Sequence, residues 1–298
     1  MHNSNESINA SIKALEETDN YLVIEKIKDL PLINSEINEK HHIAAIIDFE
    51  TTGLQDDAEI IQIAIKKIAY RPDSTIIGAW ETFEQFNEPK TPIPAEIVSI
   101  TGITNNIVQG KSLNINEILE YVKNVNLFIA HHASFDRPHA EKIHSIFVNR
   151  PWACTLNQIN WKDEGFDSSK LNYIAYAYKK FFKAHNAAND VSALASILSY
   201  KAPISGRPLL DILLTNARQK LVRVCAVDAP YHKKDIIKMR KKYYWTDKTD
   251  SLPKCWHALI PETDLEEEIE FLQKNIYNGQ GNIITKAINL LDRFSKRE

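Results

Sequence analysis

Residues 41–70, HHIAAIIDFETTGLQDDAEIIQIAIKKIAY, hold two apolar, largely β-branched runs separated by a short polar stretch. Such a pair is best satisfied as two neighbouring strands. The first run enters a Thr-Gly turn, and in the second Ile61, Ile63 and Ile65 alternate as in a strand. The spacing predicts a hairpin. Asp48 and Glu50 lie two apart at the end of its first strand, so both carboxylates project to the same face. Two acids held there are costly unless something cationic compensates them. Taken alone, the D-x-E spacing is common and reads as a solvated strand end.

The rest of the chain alternates in character. Ile8, Ile12 and Leu15 are at helical spacing in residues 7 to about 30. A helical arm and a linker, together residues 1–41, are expected there. A third strand is expected over Ala79 to Phe86, and Pro92 and Pro94 open a helix through Ile97 and Ile100. A helical stretch at 114–124 precedes the short apolar strand NLFIAHH, and SFDRPHAEKIHSIF follows as a helix with Ser134 as its cap. WACTL reads as a strand; LNYIAYAYKKFF and DVSALASILSY read as helices. Three strands followed by alternating helix and strand predict an α/β fold, a mixed sheet with helices on its faces.

Charge divides the sequence near residue 218. The 36 basic and 39 acidic residues leave a net charge of -3, which excludes a bulk positive field for a nucleic acid or an anionic membrane. Between Arg218 and Lys248, however, stand ten Lys or Arg against three Asp, whereas PETDLEEEIE, beginning at Pro261, reads as an exposed acidic helix start. A second unit over 219–298 is expected after a main domain over 42–218. Cys154, Cys225 and Cys255 are far apart in sequence and odd in number, which predicts buried free thiols in place of a disulfide framework. The N-terminus lacks an export signal and no run approaches a membrane span, so a cytoplasmic protein without a membrane partner is expected.

Further candidate site residues stand at similar places in the chain. Asp136 follows the strand LFIAHH at a helix start, and Asp190 opens another helix five residues after His185. Strand ends and helix starts are where α/β sheets collect active-site groups. DFETTG at 48–53, AHHASFD at 130–136 and HNAAND at 185–190 resemble, in order and spacing, the three Exo motifs of the DnaQ-like, or DEDDh, 3′-5′ exonucleases. PIPAEIVSITGIT at 92–104 is similar to a segment that the family carries between its first two motifs. The resemblance covers roughly residues 42–200.

The resemblance implies an RNase H-like, five-stranded mixed sheet between helices. It implies Asp48, Glu50, Asp136 and Asp190 as ligands of two divalent ions, Mg²⁺ or Mn²⁺, with His185 as general base. That chemistry is coherent: a phosphodiester is anionic, so its nucleophile must be both activated and shielded, and oxygen ligands suit these hard ions. Thr51, Thr52 and Leu54 match positions that meet the terminal nucleotide, although all three also read as plain turn residues. His132 stands where the family commonly has Asn, which alters a contact on the substrate side. Asn189 stands where many relatives carry a second acid.

The expected activity is 3′-5′ hydrolysis of nucleic acid, with single-stranded DNA favoured, RNA-trimming as the alternative, and nucleoside 5′-monophosphates as products. A polymerase or repair partner is compatible with it. A catalytically silent nucleic-acid-binding module on the same fold is the reading from another class. The C-terminal region is similar to an α+β appendage of one bacterial subgroup, and 14–27 to that subgroup's N-terminal arm. Within the appendage, KMRKKYYW at 238–245 interleaves basic and aromatic residues, as a nucleic-acid surface or as a solvated face over core aromatics.

Overall fold

The two apolar runs of the hairpin form strands of 10 and 11 residues, and the main sheet is built outward from them. The computed structural model describes residues 2–34, 41–240, 243–248 and 252–298. The chain divides into two compact units, Met1–Ala217 and Arg218–Glu298. The first begins with α1 (His2–Glu16), β1 (Glu25–Lys26), β2 (His42–Thr51), β3 (Ile60–Tyr70), β4 (Ile76–Ala79) and β5 (Phe83–Phe86). Next come α2 (Ala95–Thr101), α3 (Asn105–Val108), α4 (Ile115–Val122), β6 (Leu127–Ala130), α5 (Ala133–Ile143), β7 (Trp152–Cys154) and α6 (Thr155–Gln158). It ends with α7 (Leu171–Ala177), β8 (Lys180–Phe181), α8 (Ala187–Leu198) and α9 (Leu209–Arg218).

β2 and β3 pair antiparallel from His42 opposite Tyr70 to Thr51 opposite Ile60, with a register shift between Glu50 and Thr51. An irregularity of this kind bends a strand end and re-aims its side chains. β2 pairs in parallel with β6, and β6 with β7. The strand order is β4-β3-β2-β6-β7, with β5 also on β3. The result is the expected mixed sheet of five positions. Its outer position differs from the single strand expected over Ala79 to Phe86. Ile68 pairs with Ala79 but Ile65 with Phe83, so one extra residue interrupts the edge between β4 and β5. Trp80 lies at this break, with the Lys67 ammonium 4.9 Å from its ring centroid and 4.4 Å from that of Tyr121.

Ala44 and Ile46 of β2 face a core completed by Ile174 of α7, Val191 and Leu194 of α8, and Leu209 and Leu213 of α9. By strand alternation, Asp48 and Glu50 continue this face beyond the apolar residues. Phe49 turns to the other side, where its ring lies 6.3 Å from that of His139 in α5.

Three local expectations are corrected. The N-terminal helix stops at Glu16: Thr18 bonds back to Leu15, Asp19 takes a left-handed φ of 55°, and Glu25–Lys26 then pairs in parallel with Lys180–Phe181. That pairing also draws the end of LNYIAYAYKKFF into a strand, after Lys179 turns at φ 56°. Ser134 is not the cap of α5 but lies within it; His132 holds the cap position, its carbonyl accepting from Phe135 and Asp136. Of the expected linker, residues 35–40 lie outside the described residues.

The second unit contains β9 (Leu221–Val227), α10 (Lys234–Arg240), β10 (Tyr244–Thr246), β11 (Cys255–Pro261), α11 (Leu265–Phe271) and β12 (Asn282–Ile288). Its strands form an antiparallel sheet in the order β10-β11-β9-β12. Val222, Val224, Ala258 and Ile260 pack against Ile237 of α10 and against Leu272 and Ile276. The acidic run is not wholly solvated. Glu268 is fully buried, accepts from the Tyr243 hydroxyl at 3.0 Å, and lies 3.4 Å from Arg240 Nε. All three cysteines are buried and free, and Cys225 and Cys255 stand on adjacent strands. Among the described residues no helix is long and apolar enough to cross a membrane.

Ile46 has no exposed surface. Ile46→Ala is expected to destabilise the first unit by about 2–5 kcal/mol, read as a lower urea midpoint. An unchanged midpoint would show that the core is not built on β2.

Candidate active site

Asp48 and Glu50 leave β2 two residues apart, and Asp190 stands in the first turn of α8. Carboxylate oxygens of all three lie within 4.8 Å of one another. Asp136 comes from the first turn of α5, is 2% exposed, and receives the backbone N–H of Phe49. Its charge acts on Asp48. The four acids therefore converge where β2 meets the starts of α5 and α8.

Burial dominates their electrostatics. Asp48 is raised well above the usual carboxylate range by burial first, then by Asp136, Asp190 and Glu50. Burial and then Asp190 push Glu50 up to about 7. Burial raises Asp136, opposed by the N–H of Phe49. Asp190 is raised to about 6 by burial, against the lowering effect of the Asn186 N–H, which donates to its Oδ2 at 2.9 Å. None of the four acids has a Lys or Arg ion-pair partner among the described residues. Asp136 Oδ1 is buried without a hydrogen-bond partner. Repelling, desolvated oxygens with an unused acceptor fit a divalent cation with a preference for oxygen.

His185 is exposed, immediately before the cap of α8, with a left-handed φ of 63°. A histidine there is strained, and such strain concentrates at functional sites. Its charge acts on Asp190. The Asn186 side chain caps the helix, and Asn189 donates to Lys183 O at 3.0 Å. Asn189, where relatives carry an acid, thus ties the loop that carries His185.

The remaining candidates lie around this centre in different states. Thr51 is buried, with its hydroxyl donating to Gly53 O, and the Thr52 hydroxyl accepts from Glu59 N. Both hydroxyls close the β2–β3 loop. Leu54 is 87% exposed at that loop. The exposed His132 residue stacks its ring beside Phe135, and partial desolvation lowers its pKa.

Sequence reasoning missed two supporting residues. Gln62, opposite Glu50, has no exposed surface; its amide donates to Glu84 and its carbonyl oxygen accepts from Ala187 N at 3.0 Å. A lone polar residue in IIQIAI was the available signal. The ring of His131, lowered to about 4 by burial, bonds Thr155 Oγ1 at 2.8 Å and Ser169 O at 2.9 Å, pinning the end of β6.

An exonuclease family model, that of the RNase T type, matches residues 45–198, which is more than half of the chain. The PolC-type DNA polymerase III of Streptococcus agalactiae serotype III is 28% identical over 228 residues, covering 73% of this chain but 14% of the polymerase. That of Caldanaerobacter subterraneus subsp. tengcongensis is 32% identical over 162 residues, 51% of this chain and 11% of the polymerase. The chain thus spans a small part of the length of these relatives. Among solved structures, exonuclease X in complex with 5′ overhanging duplex DNA is 23% identical at a TM-score of 0.40, covering 58% of this chain and 92% of that one. E. coli exonuclease I with a dT13 oligonucleotide is 17% identical at a TM-score of 0.46, covering 74% and 63%. The chain belongs to the RNase T exonuclease family, the DnaQ-like 3′-5′ exonucleases.

Acids with raised pKa values keep protons that the unfolded chain has released. The stability they contribute is therefore present at low pH and is lost as pH rises from the ordinary carboxylate range through about 7. A divalent cation relieves that loss. The gain in Tm on adding Mg²⁺ or Mn²⁺ is expected to be larger near about pH 8 than near about pH 5, in melts compared with a chelator control. Equal gains at both pH values would refute the acidic cluster as the cation site. Gln62→Leu is expected to lower nuclease turnover about 10–100-fold while the cation-induced rise in Tm persists. Loss of both together would make Gln62 a residue of the fold alone.

Proposed function

We propose that the protein is a metal-dependent 3′-5′ exonuclease that hydrolyses phosphodiester bonds at the 3′ end of DNA and releases nucleoside 5′-monophosphates. The convergence of four acids, Asp136 buried and Asp48, Glu50 and Asp190 half-buried, beside an exposed, strained histidine carries this reading. Asp48, Glu50, Asp136 and Asp190 would hold two divalent ions, Mg²⁺ or Mn²⁺. Bound there, these ions supply a water of lowered pKa and charge stabilisation for the leaving 3′ oxygen.

The chain's own residues do the rest. The four carboxylates would hold the cations against which the anionic scissile phosphate would rest. His185 takes a proton on an imidazole nitrogen from the attacking water, as general base. Asp190, next to it, stabilises the imidazolium that results. The Asn186 cap and the Asn189 bond to Lys183 orient the loop. Thr51 and Thr52 shape the β2–β3 loop so that its backbone and the exposed Leu54 meet the terminal nucleotide, and His132 lines the approach from α5. The DNA polymerases among the relatives support DNA as the substrate and a replicative or repair partner as the context.

The test is cleavage of matched 5′-labelled single-stranded DNA, duplex DNA and RNA with Mg²⁺ or Mn²⁺. A ladder of 3′-shortened DNA is expected, with monophosphates identified by chromatography. Asp48→Ala should abolish it in a folded protein, and His185→Ala should slow it about 10²–10⁴-fold. Preference for RNA would establish an exoribonuclease instead. Binding without cation-dependent turnover would establish a silent binding module, and an active Asp48→Ala would remove the site assignment.

A further inference from the structure

The second unit carries a row of alternating cations and rings that the acidic centre does not use. Residues 218–248 hold ten Lys or Arg against three Asp. Two of these arginines are committed within the unit, Arg223 to Glu298 and Arg240 to Glu267 and Glu268. Three lysines instead lie over aromatic faces. Lys234 Nζ is 4.3 Å from the Tyr231 ring centroid and donates to its hydroxyl. One turn along α10, Lys238 Nζ is 5.5 Å from the Trp256 ring centroid. Pairing of β10 with β11 sets Trp245 opposite Trp256, with ring centroids 5.4 Å apart edge to face. Lys254 Nζ lies 5.6 Å from the Trp245 ring centroid.

Core packing accounts for only one of these rings. Trp256 is half-buried against the unit's core, whereas Tyr231 and Trp245 are 80% and 46% exposed. Nor are the lysines neutralised by acids: among the described residues only Lys254 has a carboxylate within 4.0 Å, Asp247 at 3.9 Å. Lys241 and Lys242 lie outside the described residues.

We propose that this row is a second nucleic-acid site, distinct from the acidic centre, which holds a single strand. Unpaired bases offer π-faces that stack on exposed rings, and sequence-tolerant binding of single strands uses that contact. An ammonium resting on an exposed ring is a weaker association than a stacked base. A base therefore displaces Lys234 from Tyr231 or Lys254 from Trp245, and the released lysine meets a neighbouring phosphate. The two sets of groups complement the two chemical halves of a nucleotide, and the local positive charge complements the backbone. A duplex satisfies only the lysines, since its bases are stacked on one another.

The experiment measures binding of the full chain to a labelled oligothymidylate and to a duplex of equal length, with chelator present so that no strand is cut. The single strand is expected to bind more tightly. Trp245→Ala should weaken that binding about tenfold and Trp245→Phe should restore it, while Lys238→Glu should reduce the slope of log affinity against log salt by about 0.7. Melting of each variant reports whether it is folded. Unchanged binding by folded Trp245→Ala and Lys238→Glu variants would overturn the proposal, as would preference for the duplex or binding to neither probe. Binding is read here with chelator and cleavage with cation, so a failure of the nuclease reading and a failure of this site register in different assays.

Discussion

Four carboxylates drawn into one partly buried place repel one another, and the first unit is organised around holding them there. β2 supplies two, α5 and α8 one each; β2 and α8 are anchored in the apolar core, and α5 buries Ala133 and Ala140. Offsets among the described residues come from backbone N–H groups, those of Phe49 towards Asp136 and of Asn186 towards Asp190, and from the charge of His185 beside Asp190. These do not return the acids to ordinary values, since Glu50 remains near 7 and Asp190 near 6. Attraction for a divalent cation is thus a consequence of the fold's own geometry, and the same repulsion explains why no soft strand end would serve in place of β2.

What the sequence disclosed about this unit follows from local rules. Alternation along a strand was enough to put Asp48 and Glu50 on one face, and the succession of strands and helices was enough for a mixed sheet. Features decided by distant contacts were hidden. The helix after Leu171 stops short because Lys180 and Phe181 pair with Glu25 and Lys26, residues far away in sequence. The break in the edge strand occurs at Trp80, beneath a lysine shared with Tyr121. Glu268 looked solvated among its acidic neighbours until Tyr243 and Arg240 supplied a buried partner set.

The site was legible to a similar degree. The acids and His185 were visible because their motifs are ordered along the chain, whereas Gln62 carries no motif. Its polarity within an apolar strand was readable, but its meaning required knowing that the start of α8 passes beside β3. Thr51 and Thr52 illustrate the converse. Their hydroxyls close a loop, as ordinary turn residues do, so any service to a nucleotide runs through the shape they impose.

The loop before α8 differs from everything else around the acids. Its histidine is exposed and strained, and beyond Phe182, which packs on the core, the loop is tied by single polar bonds: the Asn186 cap, Asn189 to Lys183, and Gln62 to Ala187. The acids are fixed by the hydrophobic interior, so their arrangement is decided when the chain folds. Proton removal is assigned to a side chain that the interior does not hold. Evolution can accordingly adjust, slow or silence the reaction by exchanging one anchor on this loop, without reopening the question of whether the chain folds.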